Sequence, residues 1–210
     1  MLFRSGSLVV PPDAEGLLVV FVHGSGSSRH SPRNQFVAAG LNRAGLGTLL
    51  VDLLTPDEEL SRANVFNVAL LAARLAAITR WLRDQPGTAA VPVGYFGAGT
   101  GTAAALAVAT ATPRLPVTAI VSRSGRPDLV GGRLGMVRVP TLLIAGAADT
   151  MVLDLNQRAQ TQLKCESRLA VVPGATHLFP EAGALSQVTD LAGGWFGRHF
   201  ARTAAIAPAA

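Results

Sequence analysis

The chain has 210 residues, 49% hydrophobic and 15% charged, which suits one globular domain with a sizeable core and argues against a disordered segment. Its 18 Lys and Arg against 13 Asp and Glu give a formal charge of +5, but the cations are scattered arginines (Lys164 is the only lysine) with few aromatics between them, so a nucleic-acid partner is not expected. No apolar run is long enough to span a bilayer, and Met1-Leu2-Phe3-Arg4 lacks signal-peptide architecture, so the expectation is a cytoplasmic protein without a membrane partner. The single Cys165 excludes an internal disulfide and a multi-cysteine metal site and reads as a half-buried structural thiol.

Strand and helix patterns alternate. Leu17–Val22 is an apolar run suited to a strand buried on both faces. A Gly/Ser-rich loop comes next, then a helix through Phe36, Val37 and Leu41 that stops near Gly45. Gly47–Val51 is the next strand. Apolar residues at three- and four-residue steps predict one helix from Asn64 to Gln85, closed by Pro86-Gly87. A strand over Val91–Phe96 leads into an alanine-rich helix over Thr100–Ala111. Strands over Val117–Ser122, Thr141–Ala145 and Arg168–Val172 alternate with helices over Val152–Leu163 and Ser186–Phe200. This order implies an α/β fold with a mainly parallel sheet, helices on both faces and no inserted cap. The domain is expected over 1–202, with a short frayed tail over 203–210.

Function in open α/β sheets gathers at the carboxyl ends of the strands. Four loops there carry chemistry: His23-Gly24-Ser25-Gly26, Gly97-Ala98-Gly99-Thr100-Gly101, Gly146-Ala147-Ala148-Asp149 and Pro173-Gly174-Ala175-Thr176-His177. The second has the frame of a nucleophile elbow, G-x-S-x-G, with Gly99 where the attacking residue belongs. The third and fourth come in the chain order acid, then histidine. A carboxylate at Asp149 would fix the tautomer of His177, which would relay the proton. The Thr100 amide and the loop around Ser25 would hold an oxyanion. Asp149 also suits the N-cap of the next helix. His23 is expected to shape the oxyanion loop, and His30 and His199 to lie on the surface or on an amphipathic face.

The segments HGSGSSRHSPRN (23–34), TLLVDLLTPDEE (48–59), YFGAGTG (95–101), SRSGRPDL (122–129), TLLIAGAAD (141–149) and VPGATHLF (172–179) resemble the dienelactone-hydrolase-like branch of the α/β-hydrolases. The resemblance implies a minimal hydrolase of a carboxylic ester, lactone or thioester without cofactor or metal. It matches Asp149 and His177 to the acid and base, and position 99 to the nucleophile. The departure is Gly99 itself, so the chain is expected to be inactive or strongly impaired.

Three readings of Gly99 are open: a substituted copy of an active enzyme, a relative that only binds a small anionic molecule, or a bend that is no elbow. In the third, Gly97-x-Gly99 with Arg123 would be part of an NADP-binding fingerprint, although the third glycine position holds Thr102. Ser25, Ser122 and Ser124 lie on neighbouring loops but are not expected to have elbow geometry. Arg29, Arg33, Arg62, Arg123 and Arg126 fall at the same sheet end. Of these, Arg29, Arg123 and Arg126 are the candidates to grip a carboxylate or phosphate on the substrate.

Overall fold

The computed structural model describes residues 6–11, 18–24, 26–111, 115 and 117–206, with the side chains of 202–206 excepted. Seven strands form one sheet in the order β1-β3-β2-β4-β5-β6-β7. They are β1 (Gly6–Val9), β2 (Leu18–Val22), β3 (Gly47–Val51), β4 (Val93–Gly99), β5 (Val117–Gly125), β6 (Thr141–Gly146) and β7 (Ser167–Val172). Leu17, expected to open β2, lies outside the described residues. All pairings are parallel except β1 with β3. The short β1 is exposed throughout and therefore leaves no burial pattern to read; it is a strand that sequence reasoning missed. Its place at the sheet edge costs no core contact.

The inner strands are buried on both faces, as continuous apolar runs require. Along β2, Leu18, Val20 and Val22 enter one core while Val19 and Phe21 enter the other, the two-residue period of a strand. The second core lies under α1 (Pro32–Arg43) and the last helix, α7 (Ala184–Ile206). Three other long helices cover the first core: α4 (Val68–Asp84), α5 (Thr100–Ala111) and α6 (Thr150–Gln162). The chain builds β3 to one side of β2 and all later strands to the other. A crevice therefore opens at the carboxyl ends of β2 and β4, where ligand sites of open α/β sheets form.

The single helix expected over Asn64–Gln85 is divided. Its first residues belong to α3 (Arg62–Val65), a single turn that follows another, α2 (Pro56–Glu59), and α4 starts anew at Val68. The restart is set by Asn67, whose side chain accepts from the Leu70 amide as an N-cap. α2 carries a capping box between Thr55 and Glu58, a signature present in the sequence as Thr-Pro-Asp-Glu. α7 runs to Ile206, beyond the expected end at Phe200, so residues 203–206 of the anticipated tail are helical and 207–210 lie outside the described residues. His199, expected on the surface or on an amphipathic face, lies on the buried face of α7 beside Trp195, with its Nε2 3.6 Å from Glu166.

Candidate active site

The bend between β4 and α5 occurs without an intervening loop: the strand ends at Gly99 and the helix starts at Thr100. Close approach explains the flanking glycines. A Cβ at Gly97 would meet the Thr102 Cα at 2.7 Å, and one at Gly101 would overlap the Val22 carbonyl. Between them Gly99 takes φ +52°, the left-handed region that side chains avoid. A Cβ there would meet only the Gly24 Cα, at 3.5 Å, so the position has room for a side chain and a backbone that resists one.

The acid and base expected from the sequence meet. His177 Nδ1 lies 2.6 Å from Asp149 Oδ2. The imidazole is about half exposed while the carboxylate is largely covered, with side-chain exposures of 52% and 12%. Asp149 occupies the N-cap position of α6 but makes no side-chain bond to the helix; its carboxylate is committed to the imidazole instead. Backbone contacts hold the two loops together. The Ala148 amide donates to the Ala175 carbonyl at 2.9 Å, and a Cβ at Gly146 would strike that carbonyl. The histidine loop is pinned further by the Thr176 amide and hydroxyl, both donating to Glu181, and by Phe179, whose buried ring enters the second core from a residue at φ +56°.

Gly99, Asp149 and His177 all line one cavity of about 530 Å³, together with Thr100, Gly24, Gly26 and Ser27. Phe66, Met151 and Leu178 give it an exposed apolar rim. Thr100 opens α5, so its amide is among the first-turn donors that find no acceptor within a helix. Ser25 lies outside the described residues. The loop beside it is tight against the bend: a Cβ at Gly24 would meet the Ala98 carbonyl oxygen at 2.8 Å.

The three arginines assigned to substrate differ in their surroundings. Arg29 is tied to Asp52 by both its guanidinium and its amide, so its charge is spent on the protein. It is not among the residues that line the cavity. Arg126 lines the cavity but is gripped by Asp128 at 2.8 and 2.7 Å, and this fork neutralises it locally. Arg123 is buried, lines the cavity and leaves Nη1 without a hydrogen-bond partner. Burial first, then the neighbouring Arg33 charge, lowers its pKa to about 10, so it remains cationic at neutral pH. Arg33 lines the same cavity, whereas Arg62 stacks over Phe66 with its guanidinium carbon 5.6 Å from the ring centroid.

Two features escaped sequence reasoning. Asp52, directly after β3, receives the Arg29 amide at 2.7 Å, the Arg29 guanidinium, and His23, whose Nε2 lies 3.0 Å from Oδ1. Burial alone would raise the Asp52 pKa, but these three contacts outweigh it and bring it to about 2. Burial likewise pulls His23 down, and its contacts with Asp52 and the Gly24 carbonyl overcome that and raise it above the usual imidazole value. The cluster clamps the His23–Arg29 loop onto the end of β3. The rule that located the other loops, inspecting the residues just past each strand, applies to Asp52 as well. The second feature is Asn156, buried mid-helix in α6, which donates to the Gly125 carbonyl at 3.1 Å and the Val152 carbonyl at 2.8 Å; no local pattern announces it.

No family model matches the chain. Over 195 residues it is 60% identical to proteins called "Putative phosphoribosyl transferase" in two strains of Mycobacterium tuberculosis, covering 93% of this chain; it spans only 44% of their length. The structure of Est1E from Butyrivibrio proteoclasticus shares the fold at 16% identity, with a TM-score of 0.75 over 92% of this chain and 93% of that one. The crystal structure of a dienelactone hydrolase from Anabaena variabilis superposes with a TM-score of 0.88 at 50% identity, over 93% of this chain and 91% of that one. Half the aligned residues are thus shared on the same backbone over nearly the whole of both chains, and this chain belongs to the dienelactone hydrolase family of α/β-hydrolases.

Proposed function

We propose that the chain is built to hydrolyse a carboxylic ester, lactone or thioester through an acyl-enzyme, with the attacking group missing at position 99, so that turnover stands far below that of a complete triad. The observation that carries this reading is the 2.6 Å contact between Asp149 and His177 beside the cavity that Gly99 lines. Asp149 holds the proton on Nδ1 and stabilises the imidazolium, leaving Nε2 to take a proton from the attacking group and return it to the leaving group. The Thr100 amide, aided by the α5 dipole, and an amide of the Gly24–Gly26 loop, Ser25 among the candidates, stabilise the oxyanion. Water is the only co-reactant this cycle requires.

Substrate preference follows from the cavity wall. The apolar rim of Phe66, Met151 and Leu178 suits a short alkyl or aryl group. Arg123, buried beside Arg33 and with its Nη1 unpartnered among the described residues, suits an anionic substituent. The same arginine supports a second reading, a protein that binds a small anionic molecule without cleaving it.

Turnover of 4-nitrophenyl acetate by the chain and by its Gly99→Ser variant tests the proposal. A gain of about a thousandfold or more is expected on the hydrolase reading. A folded Gly99→Ser protein that stays inert supports binding alone.

A further inference from the structure

Ser124 carries two energetic burdens that packing does not account for. Its φ is +43°, and only Phe179 shares that region among the described non-glycine residues. The strain at Phe179 accompanies the burial of a large ring in the core. Ser124 has only a hydroxyl to place, and that hydroxyl is buried without a hydrogen-bond partner. Strain of this kind costs about 1–3 kcal/mol, and a buried unsatisfied polar group costs a similar amount. Glycine at this position would avoid both.

The location is specific. Ala98 pairs with Arg123 and Gly99 with Gly125, so Ser124 is the extra residue of a bulge in β5, opposite the bend. The bulge is fixed from three sides. The Arg126 amide donates to the Gly99 carbonyl at 3.0 Å, Asn156 holds the Gly125 carbonyl, and Gly125 itself is closed in by Ser122 and Thr102. Ser124 lines the cavity with Gly99, Asp149 and His177. Ser122, two residues earlier, does not compete, because its hydroxyl is engaged with Thr102 Oγ1 at 3.0 Å.

We propose that Ser124, its hydroxyl turned about the Cα–Cβ bond from the buried position into the cavity that the residue lines, supplies the attacking hydroxyl in this chain, from the strand beside the one that carries the bend. The inference rests on the ester-hydrolysis reading above and names the group responsible for the turnover that remains. Ser124 Oγ adds to the substrate carbonyl carbon while its proton passes to His177 Nε2. The tetrahedral adduct collapses, the bond to the leaving oxygen or sulfur breaks, and His177 returns the proton to the leaving group. Water then adds to the acyl-Ser124 ester, giving its proton to His177; collapse releases the carboxylic acid and restores the serine hydroxyl. The strained backbone at a bulge performs the aiming that a sharp strand-to-helix turn performs elsewhere.

The test treats the full chain with diethyl 4-nitrophenyl phosphate, which phosphorylates activated serines, and locates the adduct by peptide mass spectrometry, alongside 4-nitrophenyl acetate turnover. The adduct is expected on Ser124. Ser124→Gly, which suits φ +43° and is expected to keep or raise the melting temperature, should lose the adduct and at least about tenfold of the turnover. An unlabelled Ser124, or a Ser124→Gly protein with undiminished turnover, overturns the proposal. If Gly99→Ser still gains activity in that case, ester hydrolysis stands and only the role of Ser124 falls. If neither chain turns over ester, both readings fall.

Discussion

Gly99 separates conformational cost from chemistry, and paired substitutions can measure each. Its φ of +52° is enforced by the close contacts of Gly97 and Gly101 on either side, and a new Cβ would meet only the Gly24 Cα at 3.5 Å, ordinary van der Waals contact. Gly99→Ala therefore introduces backbone strain with little steric overlap. That strain should destabilise the fold by about 1–2 kcal/mol, a fall of roughly 2–8 °C in Tm for a chain of this size. Gly99→Ser should show a similar fall, and it alone should gain ester turnover, by about a thousandfold or more. Urea denaturation with matched m-values and thermal melts measure the first effect; initial rates with 4-nitrophenyl acetate measure the second. An alanine variant as stable as the parent would refute the claim that the bend enforces left-handed backbone. Equal activity in the alanine and serine variants would refute the claim that the gain is chemical.

Within the Gly99→Ser background, Asp149→Asn should lower kcat by on the order of 10⁴ with KM little changed, because the amide favours the wrong imidazole tautomer; steady-state kinetics decide it. Arg123→Gln should raise KM for esters with a carboxylate substituent by about tenfold and leave neutral esters nearly unaffected, whereas Arg126→Gln should matter less because Asp128 already holds that fork; comparing KM for the two ester classes tests the difference. Asp52→Asn should destabilise the protein in a pH-dependent way. The Asp52 contribution is complete above its unfolded value of 3.8 and is lost as pH falls toward about 2. The raised His23 contributes below 6.5 and loses that contribution as pH rises through its folded value. The deficit of Asp52→Asn should thus be greatest between about pH 4 and 6.5, about 1–2 kcal/mol after allowing for solvent screening, and smaller at pH 9. Denaturant titrations at about pH 5.5 and 9 would show it; a pH-independent deficit would count against the clamp.

Patterns with strong periodicity proved readable. The runs at 18–22, 47–51 and 141–146 are buried on both faces, and a continuous apolar stretch bounded by turn residues has few other uses. The loops at the ends of such strands can be picked out from the chain, which is why Asp149 and His177 are legible in the sequence alone. What stayed hidden depended on contacts between distant segments. β1 exposes every residue, so its place is set by backbone pairing with β3 rather than by side chains. Arg29, Arg123 and Arg126 look alike in the chain and differ in the carboxylates that reach them, in burial and in whether they line the cavity. Ser124 looked like an ordinary loop serine because a bulge is a relation between two strands, and β5 alone does not display it.

The acid and the imidazole are joined through the carbonyl and amide of Ala175 and Ala148, and Phe179 anchors their loop in the core, whereas residue 99 sits where a different strand meets α5. The contact between carboxylate and imidazole is thereby held by loops of its own, and the bend is tied to them through the β5 bulge that Asn156 of α6 grips. On the proposed reading, and with Ser124→Gly removing the rival hydroxyl, oxygen, sulfur or selenium could be installed at the bend in turn and compared against the same Asp149–His177 pair, which makes the chain a platform for measuring how nucleophile chemistry sets acyl-transfer rate.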